Sequence, residues 1–191
     1  MWPKSPPCTT PTDLNSVIAG MKFHHVILLH LFALAAVSIG QAAEVGERAP
    51  SCQVQGLDGS GPLDLAGRPG KVVYIDFWAS WCGPCAESFP FLDQLHKELK
   101  SRGFEVLGVN LDKNAADAQA FLRKRPVGFT LASDPGGRCP RVYGVQAMPS
   151  SYLVNRQGQI RQVHRGFKAG DKQAIRDQVL LLLGASAGNT P

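Results

Sequence analysis

The sequence predicts a single α/β domain over residues 43–191. Of all 191 residues, 44% are hydrophobic and 18% are charged, which is typical of a folded globular domain and excludes disordered and disulfide-dense chains. Near-continuous apolar runs over residues 71–78 and 104–110 are typical of buried strands, and an amphipathic helical pattern lies between them. Strand, helix and strand in this order predict a right-handed parallel crossover.

An apolar run and a cleavage-like segment precede the domain. Of the 14 residues from 26 to 39, 12 are apolar, and a short basic start lies before them. Small residues follow, so residues 21–42 are expected to be a signal peptide cleaved after Ala42 or Ala43. An uncleaved membrane anchor is the alternative, but 14 helical residues span only about 21 Å of a ~30 Å hydrocarbon core. Either way, the domain is expected outside the cytoplasm.

Residues 1–20 are Pro-rich and polar, and they have no pattern of a folded element. A signal peptide normally starts the chain, so Met21 is interpreted as the initiator. Residues 1–20 are then a non-structured upstream extension. An unprocessed protein with an N-terminal peptide beginning at Met1 would contradict this hypothesis.

The elements of the domain follow in order. Residues 44–70 are rich in Gly and Pro and predict short strands and loops before the first buried strand. Apolar residues at positions 89, 92, 95 and 99 predict an amphipathic helix that starts at Pro84, is kinked at Pro90 and ends before Gly103. The other predictions are a helix over 115–125 that stops before a proline, an antiparallel hairpin of strands 151–155 and 159–164, and a last helix over 171–183.

The segment Trp81-Cys82-Gly83-Pro84-Cys85 lies between the first buried strand and its helix. A Cys-x-x-Cys pair at this junction predicts a redox-active dithiol. The free N–H groups and the dipole of the helix start favour a thiolate at Cys82, which is the expected nucleophile. Cys85, one turn later, is expected to resolve the mixed disulfide. Pro84 suits the first turn of a helix.

Two other interpretations of this pair are a structural zinc site and an inert disulfide. Zinc needs two further ligands, and the other Cys and His residues lie at unrelated spacings. His96 and His164 are therefore expected to be solvated or packing residues. Cys52 and Cys139 are left open between a structural disulfide, two separate buried thiols, and a redox or intermolecular role.

Asp76 is an acid in the middle of the apolar strand, six residues before Cys82. Burial would raise its pKa, so it is expected to take the proton from Cys85 when that thiol becomes a nucleophile. The alternative is an Asp at a strand edge facing water. Met148-Pro149, before a predicted strand, is expected to offer its backbone to an extended peptide.

Residues 73–90, VYIDFWASWCGPCAESFP, resemble the active-site segment of the thioredoxin superfamily. Residues 44–184 as a whole are similar to its exported TlpA/ResA/DsbE branch, with further matching segments at 46–50, 71–73, 109–112 and 143–145. The resemblance implies a thioredoxin fold, with a central mixed sheet flanked by helices and short N-terminal strands. It also implies a cis peptide before Pro149, Asp76 as the buried acid, and thiol-disulfide exchange.

The same resemblance implies a reductant of disulfides in periplasmic partner proteins, as in cytochrome c maturation or copper-site assembly. Trp81, Gly83, Pro84, Met148 and Pro149 are then expected to shape the site and contact the substrate. Electrons would come from a membrane thiol transporter, and no metal, flavin or nucleotide is implied. The net charge of +5 is modest and scattered, so nucleic acid is not an expected partner. A thioredoxin-fold metal-binding or docking module without redox turnover is the alternative.

Two positions depart from the family pattern. Cytoplasmic thioredoxins pair the buried Asp with a Lys on the following strand, where this chain has Gly108. Branch members often carry a Glu three residues beyond the second Cys, where this chain has Ser88.

Overall fold

The structure is a computed structural model that describes residues 43–66 and 68–184. The strands are β1 Gln53–Gly56, β2 Pro62–Asp64, β3 Val72–Trp78, β4 Phe104–Asn110, β5 Thr130–Ser133, β6 Ser150–Val154 and β7 Ile160–Arg165. The helices are α1 Gly83–Leu99, α2 Ala115–Lys124, α3 Arg138–Tyr143 and α4 Asp171–Gly184, and the short 3-10 helix Lys100–Arg102 follows α1. The extension over residues 1–20 and the signal peptide over residues 21–42 lie outside the described residues.

The seven strands form one mixed sheet in the order β2-β1-β5-β4-β3-β6-β7. β4 is parallel to both β3 and β5, whereas β6 is antiparallel to β3 and to β7. The predicted α/β class, with a central mixed sheet flanked by helices and short N-terminal strands, is confirmed. Strand β3 lies in the interior of the sheet between β4 and β6, and all seven of its residues are buried.

The side chains of β3 alternate between two hydrophobic cores, as the two-residue period of a strand requires. Tyr74 and Trp78 pack in the core that includes the buried faces of α1, α2 and α4. Ile75 and Phe77 pack in the other core, with α3 and the N-terminal segment. A continuous apolar strand in the sequence is therefore explained by coverage on both faces.

The predicted helices are confirmed with small changes at their ends. Helix α1 continues through Pro90 to Leu99, and the four apolar positions of its predicted stripe are buried. Helix α2 ends one residue earlier than predicted, with Arg125 as its C-cap before Pro126. The predicted hairpin is present as β6 and β7, with each strand shifted by about one residue.

Two elements were not predicted. Strand β5 has only four residues, too few for a clear alternation, and its pairing depends on neighbours distant in sequence. Helix α3 has six residues bounded by Gly137 and Gly144, which both adopt left-handed backbone conformations. The observed chain order therefore contains an additional strand and helix before β6.

Among residues 43–66 and 68–184, no helix combines the length and apolar character needed to cross a bilayer.

Candidate active site

Cys82 and Cys85 lie where β3 leads into α1, and they form a disulfide with Cα atoms 5.3 Å apart. Cys82 is the N-cap of α1, and its Sγ accepts a hydrogen bond from the Cys85 N–H at 3.2 Å. Cys85 is fully buried and Cys82 nearly so, whereas the neighbouring Trp81 is 72% exposed. The disulfide is thus buried, whereas the side chain that precedes it in the sequence is exposed.

The local sequence explains this geometry. Cys82 has an extended backbone, with φ −85° and ψ 105°, which is the conformation of an N-cap residue. Pro84 follows in the first helical turn, where its missing N–H leaves no helical hydrogen bond unmade. The positive end of the helix dipole lies at the Cys82 sulfur and would stabilise a thiolate there.

A buried carboxylate fixes the loop before Cys82. Asp112, just after β4, accepts hydrogen bonds from the backbone N–H of Ser80 at 2.9 Å and from its hydroxyl at 3.0 Å. The side-chain amide of Asn110 donates to the same carboxylate at 2.8 Å. Because β3 and β4 are adjacent and parallel, their carboxyl ends place Ser80 and Asp112 side by side.

Asp76 lies within the core, and its side chain is sealed from solvent. It is only 1% exposed, so the strand-edge alternative is wrong. Its Oδ1 accepts a hydrogen bond from the Ser151 hydroxyl at 2.6 Å, and its Oδ2 has no hydrogen-bond partner among the described residues. Burial raises the pKa of Asp76 to about 7, although the Ser151 hydrogen bond opposes the shift by stabilising the carboxylate.

Gly108 is the Cα partner of Asp76 on β4. A Cβ atom at Gly108 would lie 2.9 Å from Leu131 Cδ2, 3.1 Å from Phe129 Cε2 and 3.3 Å from Trp78 Nε1. A side chain at this position, such as the lysine of cytoplasmic thioredoxins, would require these neighbours to move. Among the described residues, the carboxyl of Asp76 is hydrogen-bonded to a neutral group, the hydroxyl of Ser151.

The second departure, Ser88, is also buried. Its hydroxyl donates to the carbonyl of Cys85 at 3.1 Å, one turn back along α1. This position therefore supplies no carboxylate near the dithiol.

Pro149 is buried just before β6, Met148 is half-buried, and the peptide bond between them is cis, as the resemblance implies. The carbonyl of Pro149 accepts a hydrogen bond from Gly166 N–H at 2.7 Å. Neither the N–H nor the carbonyl of Met148 makes a backbone hydrogen bond to another described residue. The Met148 backbone is therefore available to pair with an extended chain.

The other cysteines form a second disulfide. Cys52 and Cys139 have Cα atoms 5.7 Å apart and pack in the core on the opposite side of β3 from Cys82 and Cys85. The sheet thus separates the two sulfur pairs. The alternative of two separate buried thiols is not what the structure contains.

The two histidines have different surroundings. His96 is half-buried on α1, where its ring lies 6.4 Å from the Phe129 ring and burial lowers its pKa. His164 lies on β7 with Nε2 3.7 Å from Asp171 Oδ2 of α4. Within the part of the chain that the structure describes, no group of three or more His, Cys, Asp or Glu side chains is placed to hold a metal ion.

Comparison with known proteins identifies the family. The Redoxin family model matches residues 44–180. The chain belongs to the Redoxin family. It is a thiol-disulfide oxidoreductase of the thioredoxin superfamily, similar to the ResA and DsbE proteins.

Particular relatives support this assignment. The thiol-disulfide oxidoreductase ResA of Bacillus thuringiensis is 31% identical over 64% of this chain and 70% of its own length. A structure from Chlorobium tepidum, described as a thiol:disulfide interchange protein DsbE, is 45% identical with a TM-score of 0.72, covering 75% of this chain and 100% of its own. The exposed lipoprotein thioredoxin of Streptococcus pneumoniae is 29% identical with a TM-score of 0.60, covering 70% and 100% of the two chains.

In this Redoxin-family protein, the fold brings most of the predicted site residues to one end of α1 and the adjacent β3. The sequence pattern indicates no role for Ser80 or Ser151, and Asp112 is only part of a segment that matches the family. The sequence could have predicted the contact between Ser80 and Asp112, because each residue follows a buried strand of the same parallel crossover. Ser151 had no such signal, since its contact with Asp76 depends on the pairing of β6 with β3.

Proposed function

We propose that this protein reduces disulfides in extracytoplasmic partner proteins through the Cys82–Cys85 dithiol. The observation that carries the proposal is the position of Cys82 Sγ at the N-cap of α1, beside the Cys85 N–H. A thiolate at this position is stabilised by the helix start, and the partner cysteine is one turn away.

The reduced protein would act in two steps. The Cys82 thiolate attacks one sulfur of a client disulfide, forming a mixed disulfide and releasing the other client sulfur as a thiolate. Cys85 then gives its proton to the Asp76 carboxylate and attacks Cys82 Sγ, which re-forms the observed disulfide and releases the second client sulfur. A carboxyl with a pKa of about 7 is suited to accept and return a proton at neutral pH.

The client backbone would bind along the segment at Met148 and Pro149. The unpaired Met148 backbone supports this placement, because an extended peptide gains main-chain hydrogen bonds there. Exposed Trp81 would supply an apolar contact, while Gly83 and Pro84 would keep the approach to Cys82 narrow. Clients of cytochrome c or copper-site maturation, and a membrane thiol transporter as electron donor, complete the proposal.

The location outside the cytoplasm is part of the proposal. It is supported by the apolar run over residues 26–39 and by the similarity to the exposed lipoprotein thioredoxin. Mass spectrometry of the exported protein should give an N-terminus at Ala43 or Glu44. A mature protein that retains residues 21–42 would instead indicate an anchored form.

Trapping of mixed disulfides tests the reaction. With Cys85→Ser, the attack by Cys82 remains while resolution is lost, so mixed disulfides with client proteins should accumulate. Cys82→Ser is the matched control and should trap none. Equal trapping by both variants would contradict the assigned order of attack. A docking module without turnover would keep its client binding in both variants.

The reduction potential tests the direction of electron flow. Equilibration with dithiothreitol or glutathione, followed by thiol trapping, should give a potential near about −250 mV or lower for the Cys82–Cys85 pair. A potential near about −120 mV would mean that the protein is an oxidant and would overturn the proposed direction.

A further inference from the structure

A row of polar residues crosses the sheet from the buried acid to the protein surface. Asp76 on β3 is directly opposite Ser151 on β6, and Ser151 is directly opposite His164 on β7. Opposed residues of antiparallel strands project from the same face of a sheet. The three side chains therefore lie in one row, which starts in the core and ends on an outer strand.

The first link in this row is a hydrogen bond, and the second is set by strand pairing. The Ser151 hydroxyl donates to Asp76 Oδ1 at 2.6 Å, and Ser151 is itself buried. Opposed residues have Cβ atoms about 4.5–5.5 Å apart, a separation that an imidazole or one water molecule spans. Among the described residues, His164 Nδ1 lies 3.5 Å from Gln162 Nε2 and His164 Nε2 lies 3.7 Å from Asp171 Oδ2, so the link from the Ser151 hydroxyl to the ring needs one bridging water molecule.

His164 connects the row to solvent. Its side chain is 20% exposed and lines a surface cleft of about 300 Å³. The cleft also contains Arg165, Lys168 and Asp171, and the Asp171 carboxylate lies on the solvent side of the row. By contrast, Asp76 is 1% exposed and has no surface of its own through which to exchange a proton.

Tyr74 is the remaining titratable group beside the row. Burial raises its pKa, and the nearby charges of Asp76 and Asp171 raise it further, so the phenol keeps its proton. The Tyr74 hydroxyl therefore does not compete with the row as a base.

We propose that Ser151 and His164 carry protons between Asp76 and solvent. This inference rests on the proposed function, in which Asp76 must be ionised before it can accept the proton of Cys85. Protonated Asp76 gives its proton to Ser151 Oγ, Ser151 passes its own hydroxyl proton through the bridging water to His164, and the imidazolium releases a proton to solvent. One proton thus moves from Asp76 to solvent, and no redox change is involved.

A pH jump isolates this step from the disulfide chemistry. The full chain is reduced, held at about pH 5 to protonate Asp76, and mixed rapidly with a dye-labelled peptide disulfide in dilute buffer at about pH 8. In the wild type, probe release should not depend on the buffer. In His164→Ala, release after the jump should be slower by about tenfold or more, and added imidazole should restore it.

The same reaction without a jump is the internal control. When His164→Ala is first equilibrated at about pH 8, Asp76 has already lost its proton, so the variant should react as fast as the wild type. His96→Ala is the matched histidine control and should behave as the wild type in both protocols. Ser151→Thr keeps a hydroxyl and should release the probe after the jump as fast as the wild type. Ser151→Ala has no hydroxyl and should release it more slowly.

Several results would overturn the proposal. They are an unchanged rate for His164→Ala after the jump, a slow rate that imidazole does not restore, or an equal slowing without the jump. If His164→Ala does not fold, the same tests are made on His164→Gln, which replaces the ring by a side chain of similar size that is not basic. A wild type that fails to reduce the probe, or a Cys82→Ser variant that still reduces it, would instead contradict the proposed function.

Discussion

Replacing Asp76 by Asn tests the cost of burying an ionisable carboxyl beneath the dithiol. The pKa of Asp76 is about 7 in the folded protein, against an ordinary value of 3.8. Each pKa unit corresponds to about 1.4 kcal/mol, so ionising this carboxyl within the fold costs about 4 kcal/mol. The Asn side chain has nearly the same shape and cannot ionise.

The sign of the effect follows from proton binding. Below about pH 4, the carboxyl is protonated in both the folded and the unfolded chain, so it does not change stability with pH. As the pH rises from about 4 to about 7, the unfolded chain ionises first, and the folded protein loses stability until its own carboxyl has ionised. Asp76→Asn should therefore match the wild type near pH 4 and exceed its free energy of unfolding by about 4 kcal/mol near pH 8.

Urea unfolding of the oxidised protein, followed by tryptophan fluorescence at both pH values, measures this difference. Asp93→Asn is the matched control. Although burial raises the pKa of Asp93, hydrogen bonds from Lys97 and the Gly128 N–H hold it below the usual value, so this substitution should lower stability above about pH 4. A gain for Asp76→Asn that is the same at both pH values, or no gain near pH 8, would refute the reasoning.

Three further predictions concern residues around the site. Gly108→Ala adds a Cβ within 3.1 Å of two core side chains and should lower the free energy of unfolding by about 1–3 kcal/mol in urea titrations. Asp112→Ala leaves the N–H of Ser80 without its acceptor, so it should lower stability by about 1–3 kcal/mol and slow probe reduction. Replacing Cys52 and Cys139 together by Ala removes a bond across 87 residues and should lower the free energy of unfolding by about 4–5 kcal/mol, without changing the potential of the active-site pair.

Each of these has a clear contrary result. Unchanged stability on adding a methyl group at Gly108 would mean that its neighbours move aside easily. An unchanged reduction rate for Asp112→Ala would mean that the loop before Cys82 is held by other contacts. A changed active-site potential in the double Ala variant would mean that the two sulfur pairs are coupled across the sheet.

The sequence alone predicted those features that depend on residues close together in the chain. The buried strand and the amphipathic helix follow from residue periodicity, and a Cys-x-x-Cys pair between them predicts the redox-active junction. The apolar neighbours of Asp76 indicated burial and a raised pKa, and the structure bears out both. The short elements β5 and α3 were missed, because their stability comes from pairing and packing with distant segments.

The tertiary structure alone decided which groups meet around the buried acid. Strand order brings Ser151, 75 residues away in sequence, into contact with Asp76, and the register of the outer strand adds His164 to the same row. It likewise brings Cys52 and Cys139 within bonding distance. Such contacts depend on which distant strands pair and in which register. A shift of one residue in the register would turn every side chain of a strand to the other face of the sheet. The spacing of residues along a single sequence does not specify that register.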